Sequence, residues 1–307
     1  MPSSTAAKMG KTAVSPLTHL RSRINLQTLA LAAALFALFA ALFAYVQYGS
    51  AGLAGNDGYY HVKMGYLISQ QGLTPDFSWL PLTLLNPDAY YNHHLLWHVY
   101  LSLFASVDPA VDGGAALTQS AKIASIIMPS LAFMVFWWIL RDRNVPWASL
   151  WAIGLFAVSE AFLYRMSMPR AQSASLLVLA LGVLWLLQGR YKLLIPLGFA
   201  YVWFYNAFPL LLVVAGVYVV ATLMTERRFA WQALVYPLVG IALGVIINPY
   251  FPENVSFILN HVVPKLGDSA TRVGNEWYPY RTWTVIENSG FALGIFILGA
   301  LALGWAR

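Results

Sequence analysis

Residues able to do chemistry gather in four short stretches of a 307-residue chain that is otherwise strongly apolar. The first is Gly55-Asn56-Asp57-Gly58-Tyr59-Tyr60-His61, directly after a long apolar run. A carboxylate held there, at a membrane surface, can coordinate a hard divalent cation or act as a general base. Gly55 and Gly58 let the backbone turn tightly beside it; an ordinary Asn-Asp-Gly turn explains the same residues as simply. The second stretch, Tyr90-Tyr91-Asn92-His93-His94-Leu95-Leu96-Trp97-His98, holds three histidines in six residues. His94 and His98 share one helix face, a spacing that suits a metal. The same histidines can grip a lipid phosphate, and polar anchoring at an interface is the plainer use. The third is Arg165-Met166-Ser167-Met168-Pro169-Arg170-Ala171-Gln172. Arg170 can clamp a phosphate with its fork of donors, or merely snorkel to the interface. The fourth, Thr271-Arg272-Val273-Gly274-Asn275-Glu276-Trp277-Tyr278-Pro279, offers one acid, Glu276. Lys265, Arg272 and Arg281 around it supply positive charge for a phosphate leaving group. A solvated loop glutamate is an equal alternative.

The elements that must position these residues are membrane helices. The chain is 59% hydrophobic and 10% charged, against roughly 25% charged in soluble domains. Its aromatic content suits headgroup-level belts. The net charge of +6 forms no basic stripe, so nucleic acid is not an expected partner. With no cysteine there is no disulfide, thiolate metal site or cysteine nucleophile. No P-loop, His-Glu-x-x-His or Gly-x-Ser-x-Gly motif is present.

Residues 1–25 are polar and read as a cytoplasmic segment; residues 26–307 read as one transmembrane domain. The run from Leu26 to about Tyr48 is too long for a signal-peptide core and reads as an anchor. Further apolar runs lie near Thr118–Leu140, Trp147–Ser159, Ser173–Gln188, Leu193–Tyr205, Leu210–Met224, Trp231–Ile247 and Phe291–Trp305. The expected fold class is therefore all-α, a polytopic membrane protein of about eight transmembrane helices. Leu95–Val107 is apolar but short, and its assignment sets the topology. Taken as a juxtamembrane helix, it puts Arg141, Arg143, Arg190, Lys192, Arg227 and Arg228 on the side of the N-terminus, as the positive-inside rule prefers. The external loops then cover about 49–117, 160–172 and 248–290. The expected site is an integral, inner or plasma membrane with its chemistry outside the cytoplasm.

The segment Asn56-Asp57-Gly58-Tyr59-Tyr60-His61 resembles the Asp-(Pro)-Tyr-Tyr-His motif in the first external loop of the oligosaccharyltransferase catalytic subunit family. That family belongs to the GT-C superfamily of polyprenyl-phosphate-dependent glycosyltransferases. The resemblance implies a cytoplasmic N-terminus, a long first external loop carrying juxtamembrane helices, and external acidic residues. The motif Asp maps onto Asp57, with Gly58 where Pro is frequent. His93 and His94 match an aromatic, His-rich entry to a juxtamembrane helix. Arg165 fits the basic position of a second-loop segment, but the family's acidic triplet is absent there. Glu276 matches the late external-loop glutamate.

The resemblance implies transfer of a sugar or oligosaccharide from a polyprenyl (pyro)phosphate carrier, with membrane lipid around it and an acceptor left open. Asp57 and Glu276 would be catalytic and would hold Mg²⁺ or Mn²⁺ if a metal is used. Asn56, Tyr60, His61, His93, His94, Arg165, Arg170 and Arg272 would bind substrate. A transporter or lipid-handling scaffold is the rival reading. It would need ionisable residues within the spans, and only Lys122 lies clearly inside one.

Overall fold

The computed structural model describes residues 25–77, 90–266 and 281–305. Those residues form an all-helical protein. In chain order the helices are α1 (Leu26–Tyr48), α2 (Asp57–Gln71), α3 (Leu95–Ser102), α4 (Pro109–Asp112), α5 (Ala115–Asp142), α6 (Ala148–Gly154), α7 (Glu160–Ser167), α8 (Gln172–Leu187), α9 (Leu194–Phe204), α10 (Pro209–Glu226), α11 (Gln232–Ile246), α12 (Glu253–Leu266) and α13 (Thr282–Trp305). Among the described residues, α1, α5, α10 and α13 are each long and apolar enough to cross a membrane. A fifth span results if α7 and α8, bent by 104° at their junction, count as one. Three more apolar helices, Ala148–Ala157, Tyr191–Phe204 and Gln232–Ile246, are shorter. Large apolar side chains stay exposed along α10 and α13, as lipid-facing surfaces do. These features mark an integral membrane protein.

Leu95–Val107 is not a span. Its helical part, α3, covers only Leu95–Ser102, with Trp97 and Leu101 fully buried. The stretch 49–117 carries α2, α3 and α4. The stretch 248–290 differs from expectation, because α13 begins at Thr282 and absorbs part of the region expected as loop. Asn254, which fits a glycosylation acceptor pattern, is fully buried and donates its amide to the Val245 carbonyl at 2.8 Å. Glu276 and Arg272 lie outside the described residues, as do residues 1–24.

Side-chain contacts fix how the helices run. α1 and α5 are antiparallel: Arg141 donates to Thr28 at 2.7 Å at one end, Phe39 and Phe43 pack edge-on against Phe133 midway, and Lys122 reaches the Ser50 carbonyl at 2.5 Å at the other. Lys122 is 2% exposed and also lies over the Tyr48 ring. α5 and α8 are parallel, with Ala124 and Met128 in one cluster with Ala171 and Ala174, and Gln188 donating to Asp142. α8 and α9 are antiparallel, joined by Ser175 to Tyr201. Arg228 reaches Tyr191, so the Arg141–Asp142, Gln188–Tyr191 and Arg227–Arg228 connectors share one end. Asp57 and Arg170 occupy the other, a length of α8 away; sixteen helical residues span about 24 Å.

α9 and α11 run parallel and almost touch backbone to backbone. A Cβ on Gly244 would lie 2.8 Å from the Phe199 carbonyl oxygen, one on Gly198 2.7 Å from that of Pro237, and one on Gly240 would run into that of Ile195. Glycine in a helix interior normally costs about 0.5–1 kcal/mol relative to alanine. Overpacking costs about 1–3 kcal/mol, and a backbone carbonyl cannot rotate away, so the clash wins. Gly240→Ala is therefore expected to lower the unfolding midpoint in detergent. Gly216→Ala, with nothing within 4 Å, should leave it unchanged or raise it. Equal behaviour of the two variants would contradict this packing.

Candidate functional site

The site forms where the turn between α7 and α8 folds onto the start of α2. Two glycines permit that approach. A Cβ on Gly55, where φ is +77°, would lie 2.6 Å from Met168 Cε, and one on Gly58 would overlap Pro169 Cγ. The turn is held from two further sides. Trp97 donates its indole N–H to the Pro169 carbonyl at 3.2 Å, and Gln47 donates to the Ser167 carbonyl at 2.5 Å. The sharp α7–α8 junction then aims Arg170 back at α2, and its guanidinium meets the Asp57 carboxylate at 3.0 Å. The Arg170 side chain is 22% exposed and that of Asp57 56%, so the pair sits at a mouth and not in the core. Arg170 Nε is buried without a hydrogen-bond partner. One donor of the fork is thus satisfied by Asp57 and another is not.

The space that a side chain would need at position 58 is occupied by Pro169. Gly58→Ala should cost about 1–3 kcal/mol and push the Met168–Arg170 turn off α2. Thermal unfolding in detergent checks the first effect. Faster proteolysis at the turn checks the second, and a variant as stable and protected as the parent would contradict both.

One helical turn below Asp57 lies His61, 2% exposed. Its Nδ1 is 2.7 Å from His98 Nε2, and His98 Nδ1 is 2.7 Å from Asn92 Oδ1. The His94 ring lies 4.9 Å from that of His61 and 5.3 Å from that of Tyr205 at the end of α9. His93 stacks on Phe257 of α12, and Tyr90 and Tyr91 meet Tyr250 edge-on. Residues from 49–117 and 248–290 therefore meet in one cluster with Tyr205. Burial holds His61, His94 and His98 well below the usual imidazole range. For His61 the neighbouring His98 and Arg170 push the same way, and for His94 so do His93, His61, His98 and Arg170. Burial raises Tyr60 to about 12, against a hydrogen bond with Tyr90 that lowers it.

Of the residues singled out in the sequence, Asp57, Arg170, Tyr60, His61, His93 and His94 are brought together. Asn56 precedes α2 as its exposed N-cap residue, without a side-chain cap bond. Arg165, in the last turn of α7, makes no ion pair among the described residues. His94 and His98 do not form the metal pair that their spacing suits, because both His98 nitrogens are engaged by Asn92 and His61. Among the described residues no group of three histidines or carboxylates could hold a metal. Among the described residues the one carboxylate at the mouth already faces a guanidinium, so these donors alone do not fit a divalent ion.

Asn92 and Pro169 belong to the site although the sequence singled out neither, and His98 enters it through His61 and not through His94. A cleft of about 600 Å³ opens nearby between α1, α7 and α13, lined by Val46, Phe156, Leu163, Tyr164 and Phe291 together with Glu160 and Glu287. Tyr164 links it to the site, since its hydroxyl lies 3.5 Å from where a Gly55 Cβ would stand. Two other cavities, of about 730 and 580 Å³, lie at the opposite end, around Trp137–Ile153 and Gly189–Tyr236. Comparison with known proteins finds no matching family model, no matching curated protein and no matching solved structure.

Proposed function

We propose that the chain is a glycosyltransferase of the GT-C type, moving a sugar from a polyprenyl (pyro)phosphate carrier to an acceptor on the extracytoplasmic face. The observation that carries this reading is the 3.0 Å pair between Asp57, in the motif-bearing first loop, and Arg170 of the second. The basic connectors at the far end are the side that the positive-inside rule assigns to the cytoplasm, which leaves the pair outside it. The eight-crossing arrangement belongs to the same reading. The three shorter apolar helices would then span with the help of flanking aromatic residues and buried neighbours.

In this reading the polyprenyl chain lies along the apolar cleft beside α13, and its phosphate meets Arg170, whose unpartnered Nε supplies a further donor. As the bond from sugar to phosphate breaks, negative charge grows on the phosphate beside the guanidinium, and positive charge grows at the anomeric carbon beside Asp57. No step passes through a metal. Mg²⁺ or Mn²⁺ would have to draw on Glu276 as well as Asp57 and on substrate oxygens.

The test uses purified protein in proteoliposomes with synthetic undecaprenyl-phosphate hexoses as donors. Transfer or release of the hexose is expected, and Arg170→Gln should raise the KM for donor more than tenfold, matching about 1.5–3 kcal/mol for a charged hydrogen bond. Excess EDTA distinguishes the two forms of the site: loss of turnover restored by Mn²⁺ places a metal with Glu276, and full turnover removes it. No transfer from any donor would overturn the reading.

A further inference from the structure

We propose that His61, held in one tautomer by a hydrogen-bonded Asn92–His98–His61 chain, is the group that takes the proton from the acceptor during transfer. The chemistry rests on the glycosyl-transfer reading; the tautomer does not. The chain is anchored at Asn92, whose Oδ1 accepts from the His94 backbone N–H at 3.3 Å. A backbone N–H can only donate, so the atom facing it is the amide oxygen and the orientation of Asn92 is fixed. That same oxygen lies 2.7 Å from His98 Nδ1, which must therefore carry a hydrogen. A neutral imidazole has one N–H, so His98 Nε2 is an acceptor. It lies 2.7 Å from His61 Nδ1, which must then be the donor. His61 Nε2 is left with its lone pair, and it has no hydrogen-bond partner among the described residues.

Neutrality is what the surroundings enforce. His61 and His98 are almost wholly buried, Arg170 and the neighbouring imidazoles oppose a resting positive charge on His61, and a second proton on His98 would set N–H against N–H along the chain. His61 stands one helical turn after Asp57 on α2, and Asp57 meets the turn carrying Arg170. In the reaction, the acceptor atom forms its bond to the anomeric carbon and the bond from that carbon to the phosphate oxygen breaks, its electron pair leaving on the phosphate beside Arg170. The proton of the acceptor passes to His61 Nε2. The resulting imidazolium keeps its Nδ1–H on His98, and His98 keeps its own on Asn92, so the charge is spread along a chain already aligned. Asp57 is thereby free to face the sugar, while His61 handles the proton. His61 is the catalytic residue of this proposal; His98 and Asn92 are positioning residues.

Two measurements test it. Nitrogen-15 NMR of histidine-labelled protein in micelles reads the tautomer directly, with the His61 signal assigned by its loss in His61→Gln. The expected result is a protonated Nδ1 and an unprotonated Nε2 on both His61 and His98; an Nε2–H on either ring overturns the chain. The second uses proteoliposomes with undecaprenyl-phosphate hexose. Asn92→Leu should lower kcat about 10²-fold at unchanged KM for donor, and Asn92→Asp, which keeps the acceptor oxygen, should restore most of it. His61→Gln in folded protein should lose about 10²–10⁴-fold. Retained kcat in His61→Gln, with the wild type active, removes the base role alone. An inactive wild type removes the transferase reading, and the base role with it, while the NMR result still decides the chain.

Discussion

Asp57→Asn is expected to reduce sugar transfer by about 10²–10³-fold and to leave the protein folded and inserted. The substitution keeps the shape of the side chain and removes only its charge. The Asp57 carboxylate is more than half exposed, and its partner Arg170 lies at the same mouth. Exposed ion pairs contribute about 0–1 kcal/mol, so the fold should lose little. The turn that carries Arg170 is held by Gln47, Trp97 and the two glycines independently of the carboxylate. A large loss of rate with an unchanged unfolding midpoint is therefore the signature of a role in the reaction. Turnover with undecaprenyl-phosphate hexose, beside thermal unfolding in the same detergent, reads both. Unchanged turnover would return Asp57 to the status of a turn residue. A loss of rate with a collapsed midpoint would mean that the carboxylate serves the architecture instead.

The helices were legible because their apolar runs are long. α1, α5, α8, α10 and α11 begin and end within a few residues of the limits read from hydropathy. The start of α13 was not, since Thr282–Asn288 is too polar to register as a span yet continues the same helix. The chemistry-bearing stretches were legible in the sequence, but their meeting was not. Asp57 and Arg170 are more than a hundred residues apart, and the signal for their approach lies in Gly55 and Gly58, whose missing side chains make room for Met168 and Pro169. Those glycines read naturally as turn formers. Only Gly55 has a positive φ; Gly58 is inside α2, and its role is space. The histidines posed a similar ambiguity. Spacing pointed to His94 with His98, whereas the partner of His98 is His61, on another helix. Sequence spacing identifies neighbours along one helix and is silent about neighbours across two.

Buried neutral histidines give the outer cluster a pH dependence whose sign can be worked out. In the unfolded chain each imidazole titrates near 6.5. In the folded protein burial, reinforced by neighbouring histidines and for His61 and His94 by Arg170, lowers the values of His61, His94 and His98. Above pH 6.5 all three are neutral in both states, and stability is at its full value. Below it the unfolded state binds protons that the folded state refuses, so stability falls with falling pH until the folded values are reached. Each histidine contributes up to about 1.4 kcal/mol per pH unit, and three acting together approach about 4 kcal/mol per unit. Tyr60 and Tyr90 are held neutral by burial, their values raised. SDS-unfolding titrations at pH 8, 7, 6 and 5 should show a plateau followed by a steep decline. His98→Gln, which removes one titrating ring and keeps a polar side chain in the chain of contacts, should make that decline shallower. A flat profile, or a rise toward acid, would mean that these rings are protonated in the folded protein, and the arrangement around His61 would have to be charged rather than neutral.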